Sequence, residues 1–122
     1  MWSGINRRRF PRAEYPCRIT IYTKDAPQIF STRTQNIGEG GVCVILDKEL
    51  KLFSVVGLEL FLENGHAPLN CTGRVVWVVK KRGSKPDAGV MFDTGIEFAD
   101  VKNQDKERVR ILVEKIAKQD DS

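Results

Sequence analysis

The sequence predicts a mainly β protein, a six-stranded antiparallel β-barrel followed by one C-terminal α-helix. From Cys17 onward, short runs rich in β-branched and aromatic residues are divided by turn formers, which is the spacing of an antiparallel sheet. Residues 103–117 then carry apolar side chains at i, i+3, i+4 and i+7, one helical stripe formed by Val109, Leu112, Val113 and Ile116. A small sheet avoids exposed edges most simply by closing into a barrel, so the helix is expected to cover an open end.

The first two predicted strands form a hairpin. Residues 17–22 (CRITIY) alternate apolar and polar side chains, and residues 28–37 continue the pattern after a break at 25–27 (DAP). The third predicted strand, 40–46 (GGVCVIL), follows a glycine-rich turn. These three segments make up the first half of the expected barrel.

The second half of the barrel begins with another hairpin. Residues 56–63 and 69–79 meet across Asn64-Gly65, a dipeptide that readily adopts the positive φ angles of tight turns. A basic loop over residues 80–87 follows, and the apolar runs within 88–98 supply the sixth strand.

The length and the charge pattern predict one domain with short tails. At 122 residues, the chain is long enough for a single core. A flexible arginine-rich arm is expected over residues 1–14, the barrel with its helix over 15–118 and an acidic tail over 119–122. The net charge is only +4, from 20 lysines and arginines against 16 acids, and the excess lies mainly in the arm. The position of the charge is therefore more informative than its total.

Nothing in the sequence indicates catalysis or a metal site. The three cysteines are odd in number, far apart and in no CxxC pair, so each is expected to be a small buried hydrophobe. The single histidine, His66, lies in a tight turn without a nucleophilic partner. Asp93, Glu97 and Asp100 are assigned to surface charge and helix capping near the ends of elements. We therefore expect a non-enzymatic protein without metal or cofactor.

The sequence also lacks the signals of membrane attachment. No signal peptide, lipidation motif or long apolar run is present. A cytoplasmic protein that does not insert into a membrane is the resulting expectation.

The stretch GINRRRFPR, residues 4–12, concentrates arginine near the start of the chain. Arginine is used over lysine where a planar fork must bond two acceptors at once or stack on an aromatic face. Basic N-terminal arms are also often solvated or loosely attracted to nucleic acid, and this alternative stays open on the arginine run alone.

A second stretch of interest, QNIGEGGV over residues 35–42, connects two predicted strands. Its glycines, Gly38, Gly40 and Gly41, allow the backbone to approach a ligand and to turn N–H groups toward an anion. The side chain of Asn36 offers both a donor and an acceptor. A plain glycine-rich hairpin connection is the alternative interpretation.

Together, the two stretches resemble the PilZ domain, the bacterial receptor module for cyclic di-GMP. The signature of that family is RRxxxR followed, after about one hairpin, by [D/N]xSxxG. Residues 7–12 (RRRFPR) fit the first part, and residues 36–41 (NIGEGG) fit the second except that Gly38 replaces the usual serine. Three further stretches look like the later strands and the helix of the family: 73–78, 94–98 and 103–117.

The resemblance implies cyclic di-GMP as the ligand and a set of binding residues: Arg7, Arg8, Arg12, Asn36, Gly38 and Gly41. In the family the arm folds over the ligand, so that arginines read guanine edges or phosphates and stack on a base. The missing hydroxyl at Gly38 should weaken binding by about 0.5–1.5 kcal/mol, the usual value of one neutral hydrogen bond. The implied function is a receptor or adaptor whose closed arm alters the interaction with a downstream protein.

Other residues have two interpretations each. Arg9 lies outside the matched arginines and either adds general attraction or stays solvated, and Gly40 belongs to the same turn as Gly38. Trp77 is either a stacking wall for the ligand or a core tryptophan, because its strand pattern suits both. Phe53 is either an anchor for a partner or part of the core.

Two other functions are kept beside the receptor. Small barrels with basic arms bind single-stranded nucleic acid through aromatic platforms and charged grooves, but the predicted strands show few exposed aromatics and mixed charges. A PilZ-like scaffold that binds only proteins is the other alternative. The complete arginine signature disfavours that alternative, and the glycine at position 38 keeps it open.

Overall fold

The computed structural model describes residues 12–13, 16–24, 28–62, 67–82 and 89–120. Within them, the elements are β1 (Arg12–Ala13), β2 (Arg18–Tyr22), β3 (Ile29–Gly38), β4 (Gly41–Leu46), β5 (Val55–Phe61), β6 (Leu69–Arg82), β7 (Val90–Asp100) and α1 (Asn103–Asp120). The six predicted strands and the C-terminal helix are confirmed.

Two elements differ from the sequence prediction. The two-residue strand β1 was not predicted, and β6 continues to Arg82 through residues that were assigned to a loop. The reason for the longer strand is its partner, because β7 pairs with β6 as far as Val90 opposite Arg82. Four predicted features lie outside the described residues: the breaks at 25–27 and 64–65, His66, and the arginines at 7–9.

The six long strands close into an antiparallel barrel. Their order around the ring is β3-β2-β5-β6-β7-β4, and β4 pairs back to β3. The ring closes because β3 is long enough to serve two neighbours, pairing with β2 as far as Arg33 and with β4 from Thr34 onward. Beyond the start of β2, the short strand β1 pairs with the last residues of β3. Each long strand thus has partners on both sides over part of its length, which protects the barrel from edge-to-edge aggregation.

Aliphatic side chains at every second position fill the barrel interior. The largest fully buried side chains of the strands are Ile19, Ile21, Ile37, Val42, Val44, Val56, Leu60, Leu69, Val75 and Ile96. The buried Thr34 pins β3 to the start of β2, because its N–H donates to the carbonyl oxygen of Cys17 over 2.9 Å and its Oγ1 accepts from the Cys17 N–H over 3.1 Å.

Burial raises the pKa of the Cys17 thiol. Burial, and then the carboxylates of Asp105 and Asp100, raises the pKa of Cys71 to about 12. Both thiols are therefore neutral at physiological pH, although only Cys17 is fully buried and Cys71 is half-buried.

The helix α1 docks its predicted apolar stripe on the barrel. Val109, Leu112 and Val113 are buried in the same core cluster as the strand side chains, and each such burial contributes roughly 1.5–3 kcal/mol. The helix lies against β1 and β3. Arg108 anchors it further, since its Nη2 donates to the carbonyl oxygen of Ala67 over 2.7 Å. No helix among the described residues is both long and apolar enough to span a membrane.

Gly41 allows β4 and β7 to approach closely. A Cβ at this position would overlap the carbonyl oxygen of Ile96 and stand 3.0 Å from the Cα of Glu97. At the neighbouring Gly40, a Cβ would meet nothing within 4 Å. The sequence analysis assigned Gly41 to ligand approach, and the structure adds a packing requirement at the same residue.

Phe53 has an unusual backbone for an aromatic residue. Its φ is 67°, in the left-handed region, and its side chain is 64% exposed, so Phe53 is not part of the core. Two hydrogen bonds hold the turn: the Phe53 N–H donates to the Val75 carbonyl oxygen over 2.7 Å, and the Ser54 N–H donates to that of Lys51 over 3.1 Å. The strand pairing thus imposes a conformation that costs a residue with a Cβ about 1–2 kcal/mol.

We expect Gly41→Ala to lower the free energy of unfolding by about 1–3 kcal/mol, because the new methyl group overpacks a rigid backbone contact. Gly40→Ala is the matched control and should change it by less than about 0.5 kcal/mol, since the space there is open. Chemical denaturation of both variants measures the difference. Equal losses at the two positions would contradict the close approach of β4 to β7.

We expect Phe53→Gly to raise the free energy of unfolding by about 0.5–1 kcal/mol, because glycine adopts a positive φ without strain and little apolar burial is lost. Leu52→Gly is the control, since Leu52 is also exposed, at 46%, and has no positive φ. This control should be neutral or destabilising. A lower melting temperature for Phe53→Gly than for the wild type would contradict this prediction. It would show that the Phe53 side chain stabilises the fold by more than the strained backbone destabilises it.

Candidate functional site on the outer face of the barrel

The structure brings the backbones of the two sequence motifs side by side. Arg12, the last arginine of the first motif, is the Cα partner of Gly38 in the middle of the second motif, and Ala13 is the partner of Ile37. The predicted ligand residues Arg7 and Arg8, the weaker candidate Arg9 and the Arg12 side chain lie outside the described residues. The arm thus reaches the barrel at the strand that carries the glycine turn.

The glycine turn is a tight hairpin between β3 and β4. Gly38 and Gly41 are Cα partners, so only Glu39 and Gly40 make the connection. The N–H of Phe98 donates to the carbonyl oxygen of Gly40 over 2.8 Å, which ties the turn to β7. This hydrogen bond holds the turn against β7.

A β-bulge turns Asn36 to the outside of the barrel. Thr34 is buried and pairs with the core residue Val44, so simple alternation would direct Asn36 inward as well. The register shifts between Thr34 and Asn36, and Asn36 pairs with Cys43 instead. Cys43 lies between the core residues Val42 and Val44 and hence faces outward, and paired residues share a face of the sheet. The bulge thus gives Asn36 its outward orientation.

A second β-bulge does the same for Trp77. Val75 is fully buried, but the register shifts between Val75 and Trp77, and Trp77 pairs with Gly95. The indole lies over that glycine, since a Cβ on Gly95 would overlap Nε1 and stand 2.7 Å from Cδ1. Trp77 is not part of the core cluster. The structure therefore places it on the outer face, the location that a stacking wall requires and a core tryptophan does not have.

These registers define two parallel rows on the outside of β3, β4, β7 and β6, which we call the outer face. The first row is Gly38, Gly41, Glu97 and Arg74. The second row is Asn36, Cys43, Gly95 and Trp77. Neighbouring strands are about 4.8 Å apart and the rows about 7 Å apart. Glycines thus lie beside the exposed Glu97 and Arg74 in the first row, whereas the indole of Trp77 covers Gly95 in the second.

Two charged side chains, Glu97 and Arg74, are exposed on the outer face. Glu97 and Arg74 are exposed Cα partners, and in the part of the chain that the structure describes neither has an ion-pair partner. Lys81, farther along β6, differs because its Nζ lies 2.5 Å from Oδ2 of Asp93. The hydrogen bond and the charge of Asp93 raise the pKa of Lys81.

Sequence reasoning missed the positions of Glu97 and Arg74. It assigned Glu97 to surface charge near the end of an element, whereas the structure places it within β7 opposite Gly41. The signal was present in the stretches 73–78 and 94–98, but their register became known only from the pairing of the strands.

The outer face is separate from the described pocket of the barrel. A pocket of about 230 Å³ lies between the β2–β3 connection and residues 49–56. Thr23, Leu50 and Val55 are among its lining residues, and no residue of either motif lines it. A ligand bound by the motifs therefore lies outside this pocket.

Solved structures with the same fold include two proteins with bound c-di-GMP, YcgR and MrkH. The PilZ domain of YcgR from Escherichia coli, solved with c-di-GMP, has a TM-score of 0.71 at 11% identity over 93% of each chain. The K. pneumonia MrkH complex with c-di-GMP has a TM-score of 0.69 at 16% identity over 93% of this chain and 54% of MrkH. The Bacillus subtilis inhibitor of motility MotI/DgrA has a TM-score of 0.71 at 15% identity over 89% of this chain and 50% of MotI. The chain thus spans about half the length of MrkH and MotI.

Sequence comparison supplies the family. No curated protein sequence matches the chain. The family model of the PilZ domain, however, matches residues 6–115, which include both motifs, all the strands and most of the helix. The chain therefore belongs to the PilZ domain family.

Proposed function

We propose that this protein is a non-enzymatic receptor for cyclic di-GMP. The observation that carries the proposal is the in-register pairing of Arg12 with Gly38, which joins the arginine motif to the glycine turn. Family membership supports it, as do the YcgR and MrkH structures with c-di-GMP. Arg7, Arg8 and Arg12 bind the ligand from the arm, and Asn36, Gly38 and Gly41 bind it from the barrel.

The chemistry of cyclic di-GMP explains why arginine and asparagine are the proposed binding residues. Cyclic di-GMP has two phosphates and two guanines, so its receptor needs fixed positive charge, paired donors for guanine O6 and N7, and flat surfaces for stacking. The guanidinium group supplies all three. Asn36 faces outward beside the glycine turn and hydrogen-bonds a guanine or a ribose. Arg9 and Gly40 contribute charge and backbone space near the same place.

The arm makes the receptor a switch. An arm that is ordered by its ligand loses conformational entropy on binding, so the closed state is populated only when the dinucleotide is present. The surface formed by arm and barrel together is then recognised by a downstream protein in the cytoplasm. In this mechanism the chain acts as an adaptor.

The outer face does not favour a binder of single-stranded nucleic acid. Its exposed cation Arg74 lies opposite the anion Glu97, and Lys81 is already paired with Asp93. A nucleic-acid groove needs a run of unpaired positive charge with several aromatic platforms. Trp77 alone supplies one such platform within the rows described above.

Calorimetry tests the proposal with cyclic di-GMP, GTP, cyclic GMP and a mixed-sequence oligonucleotide, each at low and moderate salt. We expect selective binding of cyclic di-GMP with a micromolar or lower Kd. Arg12→Ala should weaken it by about 1.5–3 kcal/mol, because charge-assisted hydrogen bonds to the ligand are lost. Lys81→Ala is the matched control and should have little effect, since Asp93 already neutralises that charge.

The alternatives give different results in the same titrations. Equal losses at Arg12 and Lys81, with strong salt dependence and binding of the oligonucleotide, would indicate a nucleic-acid binder. Absence of heat with every nucleotide would leave the protein-binding scaffold as the function.

A further inference from the structure

We propose that Glu97 selects guanine over other bases in the bound dinucleotide. Its carboxylate accepts hydrogen bonds from N1–H and N2–H₂ of a guanine that stacks on Trp77. This inference rests on the proposed function, because it assumes a cyclic dinucleotide on the outer face.

The position of Glu97 is the first support. It is the Cα partner of Gly41 on one side and of Arg74 on the other, and it is exposed. Arg12 of β1 extends the first row, so that Arg12, Gly38, Gly41 and Glu97 are successive Cα partners on four strands. The backbones of Arg12 and Glu97 are therefore three strand spacings apart, about 14 Å. Only the glycines Gly38 and Gly41 lie between them. A ligand that lies on the glycines has an arginine position at one end and Glu97 at the other.

The neighbourhood of Trp77 is the second support. Glu97 follows Gly95 by two residues on β7, so both face outward, and the indole lies across Gly95. Glu97 and Trp77 are diagonal neighbours, a relation in which the Cα atoms are about 7–8 Å apart and long side chains reach each other. A base stacked on the outer surface of the indole has one edge within reach of the carboxylate.

Hydrogen-bond chemistry makes the carboxylate selective. The Watson–Crick edge of guanine presents two adjacent donors, and an ionised carboxylate presents two acceptors and no donor. The same edge of adenine presents an acceptor at N1, which a carboxylate repels, and hypoxanthine lacks the 2-amino donor. A site built to bond a polar group discriminates strongly against analogues without it.

The charge balance gives the third support. A carboxylate on a surface that binds a dianionic ligand weakens binding through repulsion unless it makes a compensating contact. In the described part of the chain Glu97 is not neutralised by an ion pair, although Arg74 lies directly opposite. Bonds to a base, rather than to phosphate, give this carboxylate a favourable role in such a site.

The test compares cyclic di-GMP with cyclic di-inosine monophosphate, which lacks only the two 2-amino groups, and with cyclic di-AMP. We expect the wild-type chain to prefer cyclic di-GMP over the inosine analogue by about tenfold or more, the effect of a charge-assisted hydrogen bond. Glu97→Gln removes one acceptor and should reduce this preference to within about threefold. Glu59→Gln, on the outside of β5 away from the rows, is the matched control and should retain the wild-type preference.

A fluorescence measurement tests the stacking partner. The chain has two tryptophans, so Trp2→Phe leaves Trp77 as the single reporter. Cyclic di-GMP should quench its emission in a saturable manner with the calorimetric Kd, and thermal melts should show that each variant is folded.

Failure of the inference and failure of the receptor function have different signatures. A wild-type chain that binds cyclic di-GMP, but whose preference over the inosine analogue persists in Glu97→Gln, overturns the role of Glu97 and leaves the receptor function intact. Binding without any change in Trp77 emission overturns the stacking arrangement. No binding of cyclic di-GMP by the wild type overturns both proposals.

Discussion

The pairing of β3 on both of its sides is the constraint on which the rest of the structure depends. Its first half pairs with β2 and its second half with β4, and this double use closes the barrel. The same strand carries the glycine turn at its end and pairs with β1 beyond the start of β2. At the position where the partner of β3 changes from β2 to β4, the buried Thr34 hydrogen-bonds to Cys17. Backbone hydrogen bonds specify this register, and it places Arg12 beside Gly38.

The candidate site is built where regular alternation is broken. An uninterrupted strand would direct both Asn36 and Trp77 into the core, and one extra residue in each strand turns them outward instead. Between them, Gly41 and Gly95 are required by packing: the first by the backbone of Ile96 and the second by the indole ring. The glycines of the outer face are thus a result of close packing in the sheet.

The charges divide the outer face into parts with different roles. Lys81 is held by Asp93, so its charge is satisfied within the protein. Arg74 and Glu97 keep their charged groups exposed next to the glycine row. Since exposed charged pairs contribute little to stability, these two groups add little to the support of the fold. A surface with both signs of charge suits a small molecule that carries phosphates and base edges together.

The sequence by itself determined the class of fold, the strands, the helical stripe and the family, because apolar periodicity and the two motifs are local patterns. It also indicated Arg12, Asn36 and Gly38 as site residues, although their roles stay a prediction. Only the tertiary structure decided that Trp77 faces outward, that Gly41 is demanded by packing and that Glu97 lies beside the glycine row. The physical reason is that a single bulge, or a change of one residue in the cross-strand register, places a side chain on the other face of a sheet. Neither can be recognised in the local sequence.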